Sequence, residues 1–129
     1  CAQDVGRAIN PMSVEGQIEG ATSQGLGYAL CEEYLYDEDG RMLNPDLMDF
    51  RLPTAADTPE YAIDLIEDAR DAGPYGAKGV GEPPLVPTAP AIANAIFNAT
   101  GARVKRIPIT GERLYGAIRG QGVGTAVGA

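Results

Sequence analysis

The chain has 129 residues, with 10 Lys and Arg against 18 Asp and Glu, a formal net charge of −8 at pH 7, and no histidine. That length holds one domain at most, and the negative charge repels a phosphate backbone that Arg103, Lys105 and Arg106 are too few to attract, which excludes nucleic acid as a partner. Without histidine the Ser-His and Cys-His nucleophiles and most zinc sites are ruled out within this chain, leaving carboxylates as the candidate bases.

In chain order, Cys1 to Val5 reads as the end of a strand and Gly6 to Asn10 as a turn. A long helix is expected over Met12 to Cys31, with Asn10 as N-cap, Pro11 at the first helical position and Glu15 in the first turn. Val14, Ile18, Ala21, Gly25 and Ala29 recur at helical spacing and mark one buried stripe. Gly16, Gly20, Gly25 and Gly27 lie in the same helix, where each glycine costs about 0.8–1.0 kcal/mol against alanine, so a backbone or ligand approaching closely is expected there. Gln17 and Gln24 share a helix face, and their amides both donate and accept.

Glu32 to Tyr36 reads as a strand, Asp37 to Gly40 as a hairpin turn and Met42 to Leu43 as its return. Asp37 and Asp39 lack the remainder of a calcium-loop pattern, so the turn is the better account of them. Pro45, Pro53 and Pro59 make the next stretch extended, and Tyr61 to Glu67 reads as a strand feeding the glycine-rich run Gly73 to Pro84. Thr88 is expected to cap a helix with Pro90 in its first turn, Gly101 as its stop and Ile92, Ala95, Ile96 and Ala99 as its core stripe; its N-terminal dipole would face the glycine run. Arg103 to Thr110 reads as a short strand, Glu112 to Ile118 as a short helix, and residues 120–129 as a flexible tail or a strap over a partner. The class is α+β, with a domain over residues 1–119.

The run Gly76-Ala77-Lys78-Gly79-Val80-Gly81-Glu82 is the sharpest chemical signal. Its glycines leave the backbone open to a ligand, while the absence of a Gly-Lys-Ser/Thr ending argues against a nucleotide triphosphatase. Glu82 is followed by Pro83 and Pro84, which are expected to hold it outside any helix. Apolar surroundings from Tyr75, Val80 and Leu85 would raise its proton affinity towards that of a general base. Cys1 and Cys31 show no metal-binding spacing and read as free thiols of a cytoplasmic protein. No run reaches the roughly 18 apolar residues of a membrane span, and no leader-like segment is found. The opening at Cys1 suggests a processed product or a piece of a longer polypeptide.

Taken in order, Asp4-Val5-Gly6-Arg7-Ala8-Ile9-Asn10-Pro11, Glu15-Gly16-Gln17-Ile18-Glu19-Gly20, Gln24-Gly25-Leu26-Gly27 and Gly76-Ala77-Lys78-Gly79-Val80-Gly81-Glu82-Pro83-Pro84 resemble the carboxy-terminal section of the molybdenum hydroxylases. That family includes xanthine dehydrogenases, aldehyde oxidoreductases, nicotinate dehydrogenases and molybdenum carbon monoxide dehydrogenases. The likeness runs from about Asp4 to Ile118.

The resemblance implies that Glu82 is the active-site carboxylate, standing beside molybdenum without ligating it and deprotonating the metal-bound oxygen that attacks an electron-poor carbon. It implies that Gln17 hydrogen-bonds the pterin cofactor and that Ala77, Lys78, Gly79, Val80 and Gly81 lie along it. Lys78 is open between a cofactor phosphate and a neighbouring carboxylate. No residue of this chain is expected to ligate metal. The implied cofactor is molybdenum-molybdopterin in its cytosine dinucleotide form, with iron–sulfur clusters and FAD on other regions or subunits. The implied substrate is an N-heterocycle, purine or aldehyde, and the implied partners are the rest of a large subunit and the iron–sulfur and flavin subunits or domains. The rival is a non-catalytic fragment or assembly module that keeps the fold without cofactor.

Overall fold

In the computed structural model, residues 1–70 and 73–120 are described, so most of the expected tail, 121–129, lies outside them. The element order is β1 (Ala2–Asp4), α1 (Pro11–Leu30), β2 (Asp64–Ile66), α2 (Thr88–Thr100) and α3 (Gly111–Ile118), with 3₁₀ turns at Pro74–Gly76 and Pro83–Leu85 between β2 and α2. This is the α+β class expected from the sequence. None of the helices among the described residues is long and apolar enough to cross a membrane.

Helix α1 is the spine. Asn10 is its N-cap, its side chain accepting a hydrogen bond from the Ser13 N–H at 3.2 Å, and Pro11 takes the first helical position, where a missing N–H costs nothing. Because the helix begins at Pro11, Glu15 falls beyond the first turn and adds nothing to the cap. Ile18, Ala21, Gly25 and Ala29 of the expected stripe are buried, whereas Val14 is half-buried. Gly27 is buried too.

Two of the four helix glycines have a steric reason inside the chain. A Cβ on Gly25 would come within 2.6 Å of the Thr88 Cβ, so α1 and the start of α2 touch where only glycine fits. Gly27 is closed over by the Glu32 side chain and Pro53. Gly16 and Gly20 face open space.

The sheet is a parallel pair, with Ala2, Gln3 and Asp4 in register with Asp64, Leu65 and Ile66. β1 and β2 are shorter than the strands read from sequence. Tyr61, just before β2, ties that segment to α1 through a 2.6 Å hydrogen bond between its hydroxyl and that of Ser23. Of the expected hairpin only its turn and a single Tyr36–Met42 bridge form; Asp37 and Arg41 close it, the Asp37 N–H donating to the Arg41 carbonyl at 3.0 Å. Asn44, buried beneath it, accepts from the Leu35 N–H and donates to the Glu33 carbonyl, taking bonds that a longer ladder would make.

Three expectations fail in the second half. Thr88 is the first residue of α2 and not its cap; Pro87 occupies that position, and the Thr88 hydroxyl donates to the Pro84 carbonyl at 2.9 Å. The α2 stripe is only partly covered: Ile92 and Ile96 are half-buried while Ala95 and Ala99 are exposed. Arg103 to Thr110 forms no strand: its bonds among the described residues are not those of a ladder, with the Ile109 N–H donating to the Ala29 carbonyl at 2.6 Å and the Pro108 and Thr110 carbonyls accepting from Arg113 and Leu114. Gly101 ends α2 in the left-handed conformation, φ 72°, as expected.

α3 is capped by Thr110 and anchored by Arg113. The Arg113 guanidinium donates to both Glu33 oxygens, at 2.6 and 2.9 Å, and to the Pro108 carbonyl at 2.8 Å. Arg106 adds a third contact to Glu33, at 3.1 Å.

Candidate functional site

The glycine-rich run is rooted on the segment that follows β1. The Arg7 N–H donates to the Gly76 carbonyl at 2.7 Å, the Lys78 N–H donates to the Val5 carbonyl at 3.0 Å, and Gly6 and Ala77 form an antiparallel bridge between them. Gly6 has φ 65°, and the Gly76 carbonyl and the Lys78 side chain fill the place of a Cβ there, so no other residue fits. Tyr75 sits at φ 59°, a left-handed conformation uncommon for a bulky side chain.

Lys78 meets a carboxylate of this chain. Its ammonium nitrogen donates to Asp4 at 2.6 Å, while the other Asp4 oxygen accepts from the Gly6 N–H at 2.9 Å. The Lys78 hydrogen bond, followed by that from Gly6, holds the Asp4 carboxyl below its ordinary value. Sequence reasoning gave Asp4 no role; the only signal was an acidic residue ending a strand just before a glycine.

From Ala77 the run passes α1 and ends at Glu82. Ala77, Lys78 and Val80 are half-buried, and Gly79, Gly81 and Glu82 are exposed. A Cβ on Gly81 would lie 3.6 Å from the Gln17 Oε1, so the run ends beside the first half of α1. Nothing lies within 4 Å of a Cβ built on Gly79. Gln17 and the glycine run therefore meet at an open edge, and among the described residues no hydrogen bond occupies the Gln17 amide.

Glu82 stands outside a helix, as expected, as the residue that precedes the Pro83–Leu85 turn; its own φ −103° and ψ −21° are helical values, and its carbonyl starts that turn by accepting from the Leu85 N–H at 3.0 Å. Its surroundings depart from expectation. Its side chain is exposed, and so is Tyr75, at 83%, so this chain does not supply the apolar surroundings expected around the carboxylate. Gln24, which shares the helix with Gln17, is spent on the Tyr28 hydroxyl at 2.8 Å. The N-terminal end of α2 abuts α1 at Gly25.

The donor set fits an uncharged heterocycle better than a metal. A free carboxamide that both donates and accepts, beside a side-chain-poor backbone, suits the edge of a pterin. Among the described residues no three His, Cys, Asp or Glu side chains converge as metal ligands. Among the described residues, one cleft of about 390 Å³ lies at the root of the run, between Tyr75 and Arg7, Ala8 and Ile9, and another of about 520 Å³ lies away from it, between the C-terminal half of α1 and residues 47–53.

Residues 1–59 match the family model of the molybdopterin cofactor-binding domain. The chain is 41% identical over 113 residues to the putative xanthine dehydrogenase molybdenum-binding subunit of Escherichia coli K12, covering 87% of this chain and 15% of that one. It is 43% identical over 96 residues to the carbon monoxide dehydrogenase large chain of Afipia carboxidovorans, covering 74% of this chain and 12% of that one. Its structure superposes on the crystal structure of quinoline 2-oxidoreductase from Pseudomonas putida 86 with a TM-score of 0.82 at 35% identity, over 92% of this chain and 15% of that chain. The chain thus spans only 12% to 15% of the length of these relatives.

Proposed function

Because the chain belongs to the molybdenum hydroxylase family, within its molybdopterin-binding large subunit, we propose that it supplies the proton-accepting carboxylate and one wall of the pterin cradle in an enzyme that hydroxylates an electron-poor carbon with water. The substrate is an N-heterocycle, a purine or an aldehyde. When bound as its cytosine dinucleotide, the molybdenum cofactor supplies the Lewis acidity and the two-electron acceptor that the oxidation needs.

In this reading the Gln17 carboxamide donates to and accepts from the pterin edge. The backbone from Ala77 to Gly81 runs alongside, with Gly79 and Gly81 keeping side chains away from it. Lys78, engaged by Asp4, fixes the root of the run and leaves phosphate recognition to other residues. A Glu82 carboxylate oxygen takes the proton released as the new carbon–oxygen bond forms. The rest of the large subunit closes over Glu82 and excludes water, and iron–sulfur and flavin subunits or domains carry the electrons away.

One observation carries the reading: the chain folds so that Gln17 and Gly81, remote in sequence, lie side by side next to Glu82. The test is Glu82→Gln in the assembled enzyme. Turnover is expected to fall by about 10²-fold or more while molybdenum content stays at the wild-type level. Near-normal turnover in a molybdenum-replete variant would remove Glu82 from its role. An assembled wild-type complex that holds no molybdenum would favour the non-catalytic module instead.

A further inference from the structure

The glycine run is tied at both ends and free between them. At the far end the Glu82 carbonyl opens the Pro83–Leu85 turn, which lies against α1 with Pro84 buried. The Pro84 carbonyl accepts from the Thr88 hydroxyl, and Thr88 stands against Gly25, so that end is packed onto the spine of the fold. Between the ties, among the described residues, the N–H groups of Gly79, Val80 and Gly81 make no hydrogen bond. Two of these three are glycines, whose backbone has the widest choice of conformations, so the ends of the span decide where it lies.

The near end is the weaker one. It hangs on the two backbone bonds of the isolated Gly6–Ala77 bridge, from Arg7 to Gly76 and from Lys78 to Val5, and on one side chain, that of Lys78. The Asp4 carboxylate serves both partners of this crossing. One oxygen accepts from the Lys78 ammonium at 2.6 Å, and the other accepts from the N–H of Gly6, which holds φ 65°. Asp68 is a second carboxylate within the reach of the Lys78 charge, but Arg70 occupies its two oxygens at 2.9 and 2.6 Å. Asp4 is therefore the counter-charge that fixes Lys78.

We propose that Asp4 is a positioning residue of the site: through Lys78 and the Gly6 N–H it sets where the Gly79–Gly81 span, and the Glu82 carboxylate that ends it, stand relative to Gln17. The inference rests on the reading of that span as a wall of the cofactor cradle and of Glu82 as proton acceptor. Global stability is not what such a pair supplies, since the Lys78 and Asp4 side chains are 31% and 42% exposed and ion pairs open to water contribute little to it. Its effect is local. It closes the one end of the span that no packed helix holds, and a shift at that end is passed along three residues with no bonds of their own to resist it.

Three variants of the complete large subunit test this: Asp4→Asn and Lys78→Met, which remove one charge each, and Lys78→Arg, which keeps it. In molybdenum-free subunit the Arg7 and Lys78 amides, the donors of the bridge, are expected to exchange with deuterium about tenfold faster in Asp4→Asn and Lys78→Met than in wild type, and at nearly the wild-type rate in Lys78→Arg. The thermal midpoint should stay close to wild type in all three. In the assembled enzyme, kcat per retained molybdenum should fall about tenfold or more in the first two variants, with KM within about twofold, and return in Lys78→Arg. Unchanged exchange at Arg7 and Lys78 in both charge-removing variants would overturn the proposal. So would a loss of turnover matched by an equal loss of molybdenum and a lower thermal midpoint, which is the mark of a merely structural pair. The exchange readout does not involve Glu82: normal turnover in Glu82→Gln together with faster exchange in Asp4→Asn would remove the catalytic reading and leave the clasp in place.

Discussion

Lys78 reaches back 74 positions to place its ammonium nitrogen 2.6 Å from the Asp4 carboxylate, joining the root of the glycine run to the end of β1. The carboxyl is held below the ordinary aspartate range first by the Lys78 hydrogen bond and then by that from the Gly6 N–H. A carboxylate depressed in the folded state contributes stability that is present above its unfolded value and is lost as pH falls through the lower folded one. Lys78→Met should therefore raise the Asp4 carboxyl towards its ordinary value in a carbon-13 titration of labelled aspartates and move the onset of acid unfolding to higher pH. A titration unchanged by the substitution would mean that Gly6 alone sets the value. Both groups are partly exposed, so the effect should shrink as salt is added.

The helix glycines divide by what they touch. Gly25→Ala drives a methyl into Thr88, and overpacking of this kind costs about 1–3 kcal/mol, read as a lower urea midpoint. Gly20→Ala meets nothing within 4 Å and should stabilise α1 by about 0.8–1.0 kcal/mol, provided that nothing outside this chain covers it. If Gly20→Ala lowers the stability of the complete large subunit, a neighbouring segment presses on that glycine. The sequence asked for a close approach at all four glycines; the structure answers at Gly25 and Gly27 and leaves Gly16 and Gly20 on the open side of the helix.

Periodicity and caps made α1 legible almost residue by residue, because Asn10, Pro11 and the buried stripe are local signals that its packing does not override. The second half was less legible for the same reason. Thr88 looks like a cap, yet Pro83 and Pro84 form a turn of their own and leave Pro87 at the helix start. Arg103 to Thr110 has strand-like residues but no partner strand, and pairing partners are what a sequence pattern cannot supply. At the site, the motif order pointed to Gln17 and the glycine run, whereas the exposure of Glu82 and the Asp4–Lys78 pair depend on contacts distant in sequence.

The Arg113 guanidinium is the principal fastening of α3. Its side chain is 14% exposed, and it donates to two Glu33 oxygens and one carbonyl. Arg113→Ala should cost about 1.5–3 kcal/mol, the range for hydrogen bonds to charged groups, with Arg106 retaining part of the attachment to Glu33. Arg113→Lys should recover little, because Nη2 serves both Glu33 oxygens while Nη1 serves the Pro108 carbonyl, and one ammonium cannot span both places. Recovery of wild-type stability in the lysine variant would show that charge alone, not the two-ended guanidinium, holds α3.

The two thiols should differ in reactivity. Cys1 is exposed, whereas Cys31 is half-buried at the end of α1, and its thiol is pushed above the ordinary cysteine value, first by desolvation and then by Glu32 and Asp57. Since the thiolate is the reactive form, iodoacetamide at neutral pH should label Cys1 well before Cys31. Glu32→Gln should speed Cys31 labelling modestly by removing a like charge, and equal rates for the two cysteines would contradict the environment described for Cys31.

Gln17 lies beside Gly81, the residue before Glu82, but the amide and the carboxylate are assigned separable duties, and substitution can pull them apart. Gln17→Met keeps the helix face and the side-chain length while removing the amide donor and acceptor, so the cradle loses its hydrogen bonds without losing its shape. Molybdenum retained after gel filtration should fall, and turnover per retained molybdenum should fall less. Glu82→Gln should do the reverse, leaving molybdenum in place and removing turnover. Gly81→Ala adds a methyl only 3.6 Å from the Gln17 Oε1, ordinary contact distance, so the fold should tolerate it. Any loss of molybdenum in that variant would then report on the space beside Gly81, where the cofactor is proposed to lie. If all three substitutions lowered molybdenum and turnover in strict proportion, the division of roles between amide and carboxylate would be wrong, even with the family assignment intact.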